Sequence, residues 1–249
     1  MTIDYGFDII SGNVRSVLTI GSFDGVHSGH KVLLRSLKQM AKRLDAESVV
    51  VTFDPHPRIA MGRAEGMGLL TTIEERALLL EREGIDRMVV ARFDENFRSQ
   101  PYDAFVHESL VAKLGMVGMI VGYNHRLGRG NEGNYDSLKP LAAECGFELE
   151  CIGQHLVNGS KISSTVVREV MAQGDMRTVE HLLSQRYLII GDAKEGVVDI
   201  TDQYKLLPLS GVYNADITFN NIRYSAQIEI QGRRVVLFER IDGRVVIEL

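Results

Sequence analysis

Cysteine, an excess of positive charge and long apolar runs are what this 249-residue sequence lacks, and each absence excludes something. Its two cysteines, Cys145 and Cys151, form no Cys-x-x-Cys motif and have no histidine arranged in the sequence to activate them. They read as reduced, incidental thiols rather than a disulfide framework or a nucleophile. No stretch is long and apolar enough to cross a bilayer, and the N-terminus has no basic segment leading into an apolar core. Membrane insertion and export are therefore unsupported, and the expected location is the cytoplasm. With 28 Lys and Arg against 33 Asp and Glu, the formal net charge is −5. That balance argues against a nucleic-acid-binding surface and for a small-molecule partner. Of only five prolines, two flank His56 in Asp54-Pro55-His56-Pro57 and stop regular structure there.

What is present is organised around Val17-Leu18-Thr19-Ile20-Gly21-Ser22-Phe23-Asp24-Gly25-Val26-His27-Ser28-Gly29-His30. A short apolar run of strand type breaks at glycines, and two histidines three residues apart stand where an amphipathic helix begins. Gly21, Gly25 and Gly29 allow backbone N–H groups to approach an anion, and the positive end of the helix dipole faces it. The imidazoles of His27 and His30 add donors at neutral pH. The arrangement suits a nucleoside triphosphate. Either histidine alone reads as a core residue or a cap. A zinc site is disfavoured because no cysteine or third histidine follows at ligand spacing.

The rest of the chain has two textures. Up to about Arg186, apolar strands alternate with amphipathic helices, and residues 1–16 read as a lead-in to the first strand. Strands are expected at 47–53, 86–91, 119–121 and 147–152. Helices are expected after His30, at 71–83 from a Thr-x-x-Glu capping box, at 101–114 and at 138–145. This repeat implies an α/β fold with a Rossmann-like, doubly wound parallel sheet. The loop Gly122-Tyr123-Asn124-His125-Arg126-Leu127-Gly128-Arg129-Gly130 follows a strand directly, where such sheets gather ligands. In Lys161-Ile162-Ser163-Ser164-Thr165-Val166-Val167-Arg168, the three hydroxyls can cap a helix and donate to an anion, with Arg168 as a guanidinium fork in the first turn. Taken alone, this octapeptide also fits an N-cap followed by a surface arginine. From Tyr187 onward short strands dominate, at 187–191, 211–219, 223–230, 234–239 and 244–249, with Asn220-Asn221 and Asp242-Gly243 at hairpin positions. A small antiparallel β domain is expected over 187–249.

These residues resemble the nucleotidylyltransferase superfamily, whose signature is His-x-Gly-His. More closely, residues 17–191 resemble the adenylyltransferase module of the bacterial riboflavin kinase/FAD synthetase family. The matches run in order: Thr19 to His30, Val51 to Pro57, Leu70 to Arg76, Val121-Gly122-Tyr123-Asn124 with Gly128-Arg129, and Ile162 to Arg168. The resemblance implies transfer of AMP from ATP, with magnesium, to FMN, giving FAD and pyrophosphate. It implies catalytic roles for His27, His30 and Arg168, and ATP or FMN contacts from Gly21, Phe23, Asp24, Gly25, His56, Asn124, Ser163, Ser164 and Thr165. Asp24 is expected first to hold the turn and only second to meet magnesium through water, and His56 to close a loop near the flavin phosphate.

Two departures stand out. His125 and Leu127 occupy positions where the family has aromatic residues. The Gly-rich segment leading to Pro-Thr-Ala-Asn, which serves the family's riboflavin kinase module, is absent. The expectation is therefore an FMN adenylyltransferase without riboflavin kinase activity, its C-terminal sheet a reduced relic that packs on the first domain or binds an unassigned partner. The alternatives are a nucleotidylyltransferase with another phosphorylated acceptor and a non-catalytic flavin- or nucleotide-binding regulator.

Overall fold

The computed structural model describes residues 1–8, 10, 14–153, 156–157 and 160–249. The chain divides into two compact units. The first comprises Met1–Phe23, Gly29–Glu65 and Leu79–Lys161; the second comprises Asp24–Ser28, Gly66–Leu78 and Ile162–Leu249.

The first unit is built on six parallel strands: β1 (Thr2–Tyr5), β2 (Ser16–Ile20), β3 (Glu47–Asp54), β4 (Arg87–Arg92), β5 (Met116–Gly122) and β6 (Glu148–Ile152). Their spatial order is β1-β4-β3-β2-β5-β6. Every residue of β2 is buried, as are Ser48 to Thr52 of β3 and Met88 to Ala91 of β4, which is why these strands read as continuous apolar runs rather than alternating ones. The expected Rossmann-like sheet is thus present. The order reverses between β2 and β5, so their carboxyl ends form the crevice where such sheets bind ligands.

Residues 2–5 correct the sequence reading: they are an edge strand, paired in parallel with Arg87 to Val90. Four residues with two polar side chains give too little periodicity to be recognised. The helices in chain order are α1 (Ser28–Arg43), α2 (Pro57–Ala60), α3 (Ile73–Arg82), α4 (Glu95–Ser99), α5 (Tyr102–Phe105) and α6 (Tyr135–Cys145). The single helix expected over 101–114 is instead α5 running into a π-helical turn at Val106–Val111. A two-stranded ribbon, β7 (Leu156–Val157) with β8 (Ser160–Lys161), closes this part of the chain.

The second unit holds α7 (Ser164–Ala172), α8 (Met176–Leu183) and six antiparallel strands: β9 (Leu188–Lys194), β10 (Val197–Asp199), β11 (Gly211–Phe219), β12 (Ile222–Gln231), β13 (Arg234–Leu237) and β14 (Gly243–Glu248). They close into a barrel in the order β10-β13-β12-β11-β14-β9. Closure removes exposed sheet edges. Inward residues such as Ile189, Val198, Ile217, Ile228, Val235 and Ile247 are almost completely buried and form one core with Val167, Met171, Val179 and Leu183 of the helices.

Asn220 and Asn221, both at positive φ, make the expected hairpin turn. Asp242-Gly243 does not: β14 pairs with β11 and β9, never with β13, so this dipeptide ends a crossing loop. Strand β10, three residues long, was not legible in the sequence; it joins β9 through Glu195 and Gly196 alone.

Candidate active site

The second unit gathers several of the expected residues around one carboxylate. Asp24, 1% exposed, has both oxygens engaged. Oδ2 accepts from the Leu70 amide at 3.1 Å and from Arg168 Nη2 at 2.5 Å; Oδ1 accepts from the Thr71 amide at 2.9 Å and the Thr71 hydroxyl at 3.0 Å. A second buried guanidinium, Arg76, stands 4.0 Å away. Burial pushes the Asp24 carboxyl up, but Arg76, Arg168 and the two amides outweigh it and hold the group below its ordinary value. Both Asp24 oxygens are thus occupied by four donors.

The turn that presents Asp24 requires unusual backbone. Gly25 sits at φ +81°, and a Cβ there would approach Leu70 Cδ1 to 2.7 Å. Its amide donates to Thr71 Oγ1 at 3.1 Å. Gly25→Ala is expected to destabilise the chain by about 1–3 kcal/mol, read as a lowered urea midpoint. A wild-type midpoint would show that the turn relaxes freely.

Ser163 caps α7 by accepting from the Val166 amide, and Ser164 donates its hydroxyl to the Asp24 carbonyl at 2.9 Å. Thr165 is exposed on the first turn. Arg168, one turn further, faces inward: Nε donates to the Gly68 carbonyl at 2.6 Å and Nη2 to Asp24. Nη1 donates to none of the described residues, which leaves one arm of a fixed fork for an anion. His27 is 6% exposed. Burial lowers its pKa to about 4 against the pull of Asp24, with Arg168 adding to the depression, so the imidazole is neutral at pH 7. The structure thus brings His27, Asp24, Gly25, Ser164 and Arg168 into one electrostatically linked group.

The other expected residues belong to the first unit. Phe23, at φ +47°, packs its ring against His30 at 4.9 Å between centroids. His56 is buried and caps α2, its Nδ1 accepting from the Arg58 amide at 3.2 Å. Asn124 is exposed in the turn after β5. Gly21 lines a cavity of about 650 Å³ at the carboxyl ends of β2 and β5.

That cavity joins the 122–130 loop to residues the sequence reading did not connect with it. Its lining includes Ile20 and Leu127 with Phe53, Phe93 and Phe97, whose rings meet at 5.5–5.7 Å. Four exposed arginines join them: Arg126 and Arg129 from the loop after β5 that the sequence already marked, and Arg63 and Arg98 from two other segments that no local spacing could have linked to it. Asn124 is not among the lining residues. An apolar floor with a cationic margin suits a planar ring carrying negative charge.

His107 Nδ1 lies 3.5 Å from Cys145 Sγ, a contact the sequence did not announce. The two meet through folding, 38 positions apart. Burial and the charge of Glu144 push the thiol up from its ordinary value, so it is not activated. Both cysteines are free.

A family model described as FAD synthetase matches residues 10–166. The chain belongs to the FAD synthetase family. Its members are FMN adenylyltransferases, which are nucleotidyltransferases. Among relatives of this FAD synthetase family chain, the bifunctional riboflavin kinase/FMN adenylyltransferase of Haemophilus influenzae is 29% identical over 227 residues, spanning 87% of this chain and 74% of that protein. The protein of the same description from Escherichia coli K12 is 29% identical over 211 residues, 81% of this chain and 67% of its own. A solved structure, a macrolide-efflux protein from Streptococcus pneumoniae, superposes with a TM-score of 0.84 at 20% identity over all of this chain and 90% of that one, a likeness of fold. Among the described residues, no helix is long and apolar enough to cross a membrane.

Proposed function

We propose that this chain transfers AMP from magnesium-bound ATP to FMN, giving FAD and pyrophosphate, and that it does not phosphorylate riboflavin. The observation that carries the reading is the group formed by Asp24, Arg168 and neutral His27 on the glycine turn. In this reaction an FMN phosphate oxygen attacks the α-phosphorus of ATP and the bond to the pyrophosphate oxygen breaks. No proton need leave the attacking dianion, so the enzyme supplies alignment and charge stabilisation rather than a base.

The residue roles follow from chemistry. Arg168, anchored by Nε and Nη2, offers Nη1 to the leaving phosphates. Neutral His27 acts as an N–H donor to the transferring group, the role given also to the His30 imidazole, and Ser163, Ser164 and Thr165 mark the helix start at which phosphate is favoured. The saturated Asp24 fits magnesium arriving as part of the nucleotide. Residues 1–186 are assigned to adenylyl transfer and 187–249 to the reduced β domain. Acceptance of FMN is supported by the cavity with three phenylalanines in its lining and four arginines at its margin. Loss of riboflavin phosphorylation is supported by the missing Pro-Thr-Ala-Asn segment, the two-residue β9–β10 connection and the apolar filling of the barrel.

Incubating the full chain with magnesium, ATP and FMN is expected to yield FAD and pyrophosphate in equal amounts, and with riboflavin to yield no FMN. FMN appearing from riboflavin would overturn the second half of the proposal. Leu127 in the cavity lining, where the family carries an aromatic residue, favours one further reading, another phosphorylated acceptor. FAD formation slower than adenylylation of a different phosphate monoester would establish it.

A further inference from the structure

Within the second unit, the segment Gly68 to Thr72 is held from two sides. On one side it fixes the candidate catalytic group: the Gly68 carbonyl accepts from Arg168 Nε at 2.6 Å, and the amides of Leu70 and Thr71 donate to Asp24. On the other side it is bound to the loop that precedes β11. Leu69 N donates to the Tyr204 carbonyl at 2.6 Å, Leu206 N donates to the Leu69 carbonyl at 2.8 Å, and Gly68 lies so close that a Cβ would come within 2.8 Å of Leu206 Cβ.

Between these stands Lys205. Its ammonium is buried and donates to the Leu70 carbonyl at 2.8 Å, the Leu188 carbonyl at 2.7 Å and Glu75 Oε2 at 2.7 Å, which uses all three of its donors. Leu70 therefore gives its amide to Asp24 and its carbonyl to Lys205. Glu75 in turn accepts from the Thr72 and Ile190 amides. The loop itself is tied down by Arg233, whose guanidinium donates to the carbonyls of Ile200, Asp202 and Lys205.

We propose that Lys205 is a positioning residue for adenylyl transfer, and that the reduced β domain is retained because this lysine and its loop set the place of Arg168 and Asp24 through the Gly68 to Thr72 segment. The inference rests on the reading of the reaction given above. A packing role alone would need no ammonium, since buried ion pairs are replaceable by neutral or apolar groups of similar volume. Directing two backbone carbonyls and a carboxylate at once does need it.

The test uses the full chain with Lys205→Met, and with Lys205→Met combined with Glu75→Gln so that no unpaired charge is left buried. The folded double variant is expected to lose on the order of 10²-fold in kcat/KM for magnesium-bound ATP, as sub-ångström to ångström misplacement of a catalytic group does, with KM for FMN unchanged. Its His27 titration, followed by NMR, is expected to rise from about 4 toward the ordinary 6.5 as the Asp24 and Arg168 group loosens and hydrates. A folded double variant whose His27 titrates as in the wild type overturns the proposal whatever its activity. Should the wild type make no FAD, the reaction assignment falls, while the titration still decides the role of Lys205.

Discussion

Arg168→Met is expected to reduce FAD formation by about 10²–10³-fold in kcat/KM, the usual consequence of removing one preorganised donor to a developing anion. The same substitution has a second effect that must be separated from the first. Asp24, 1% exposed, would remain buried without its nearest guanidinium. Breaking a buried pair by removing one partner costs about 3–5 kcal/mol, and Arg76 at 4.0 Å with the Leu70 and Thr71 amides places this case near the lower end. Combining Arg168→Met with Asp24→Asn removes the stranded charge and keeps one oxygen, which can accept from the Thr71 amide, while the new NH2 faces the Leu70 amide. Urea denaturation should then recover part of the lost stability, whereas FAD formation should stay at the level of the single variant. Activity returning together with stability would mean that Arg168 serves folding and not the reaction.

The contrast between Asp24 and Arg168 also marks what a sequence discloses. The Thr72 capping box was legible because both partners sit three residues apart, and Thr72 N does donate to Glu75 Oε2 at 2.8 Å while Glu75 N donates back to Thr72 Oγ1 at 3.2 Å. That Glu75 also receives Lys205, 130 positions away, was not. Strands β2, β3 and β4 announced themselves by unbroken apolar runs, whereas β1 and β10 are too short to carry a period. His27 and Arg168 were singled out by local chemistry, a glycine turn and a helix start. Local spacing says nothing about a contact spanning 144 residues, so Arg168 was expected to project from its helix as a fork for anions alone, and its grip on Asp24 and Gly68 was missed. Arg63 and Arg98 of the cavity escaped for the same reason: they come from segments remote from the 122–130 loop that supplies Arg126 and Arg129, and each alone reads as surface.

The stability of the chain is expected to fall as pH drops from about 6.5 to about 4, and His27 supplies a definable share. Its imidazole titrates at about 4 in the folded chain and near 6.5 once unfolded. Between those values the unfolded state binds the extra proton and the folded state does not, so acidification favours unfolding and stability rises with pH across the window. At about 1.4 kcal/mol per pH unit, the difference amounts to roughly 3 kcal/mol. Asp24 acts in the same direction but lower, because its folded carboxyl lies below 3.8 and its stabilising charge is lost only as pH falls through that lower value. His125, also lowered to about 4 by burial and Arg126, contributes within the same window, so the wild-type curve alone cannot assign the effect. The difference between wild type and His27→Asn can. Urea midpoints measured from pH 7 to pH 4 should converge between the two proteins as pH falls, because the variant has no proton to take up at position 27 and loses less stability. Parallel curves would mean that His27 titrates alike folded and unfolded, and its standing as a neutral donor to the transferring phosphate would fall with that result.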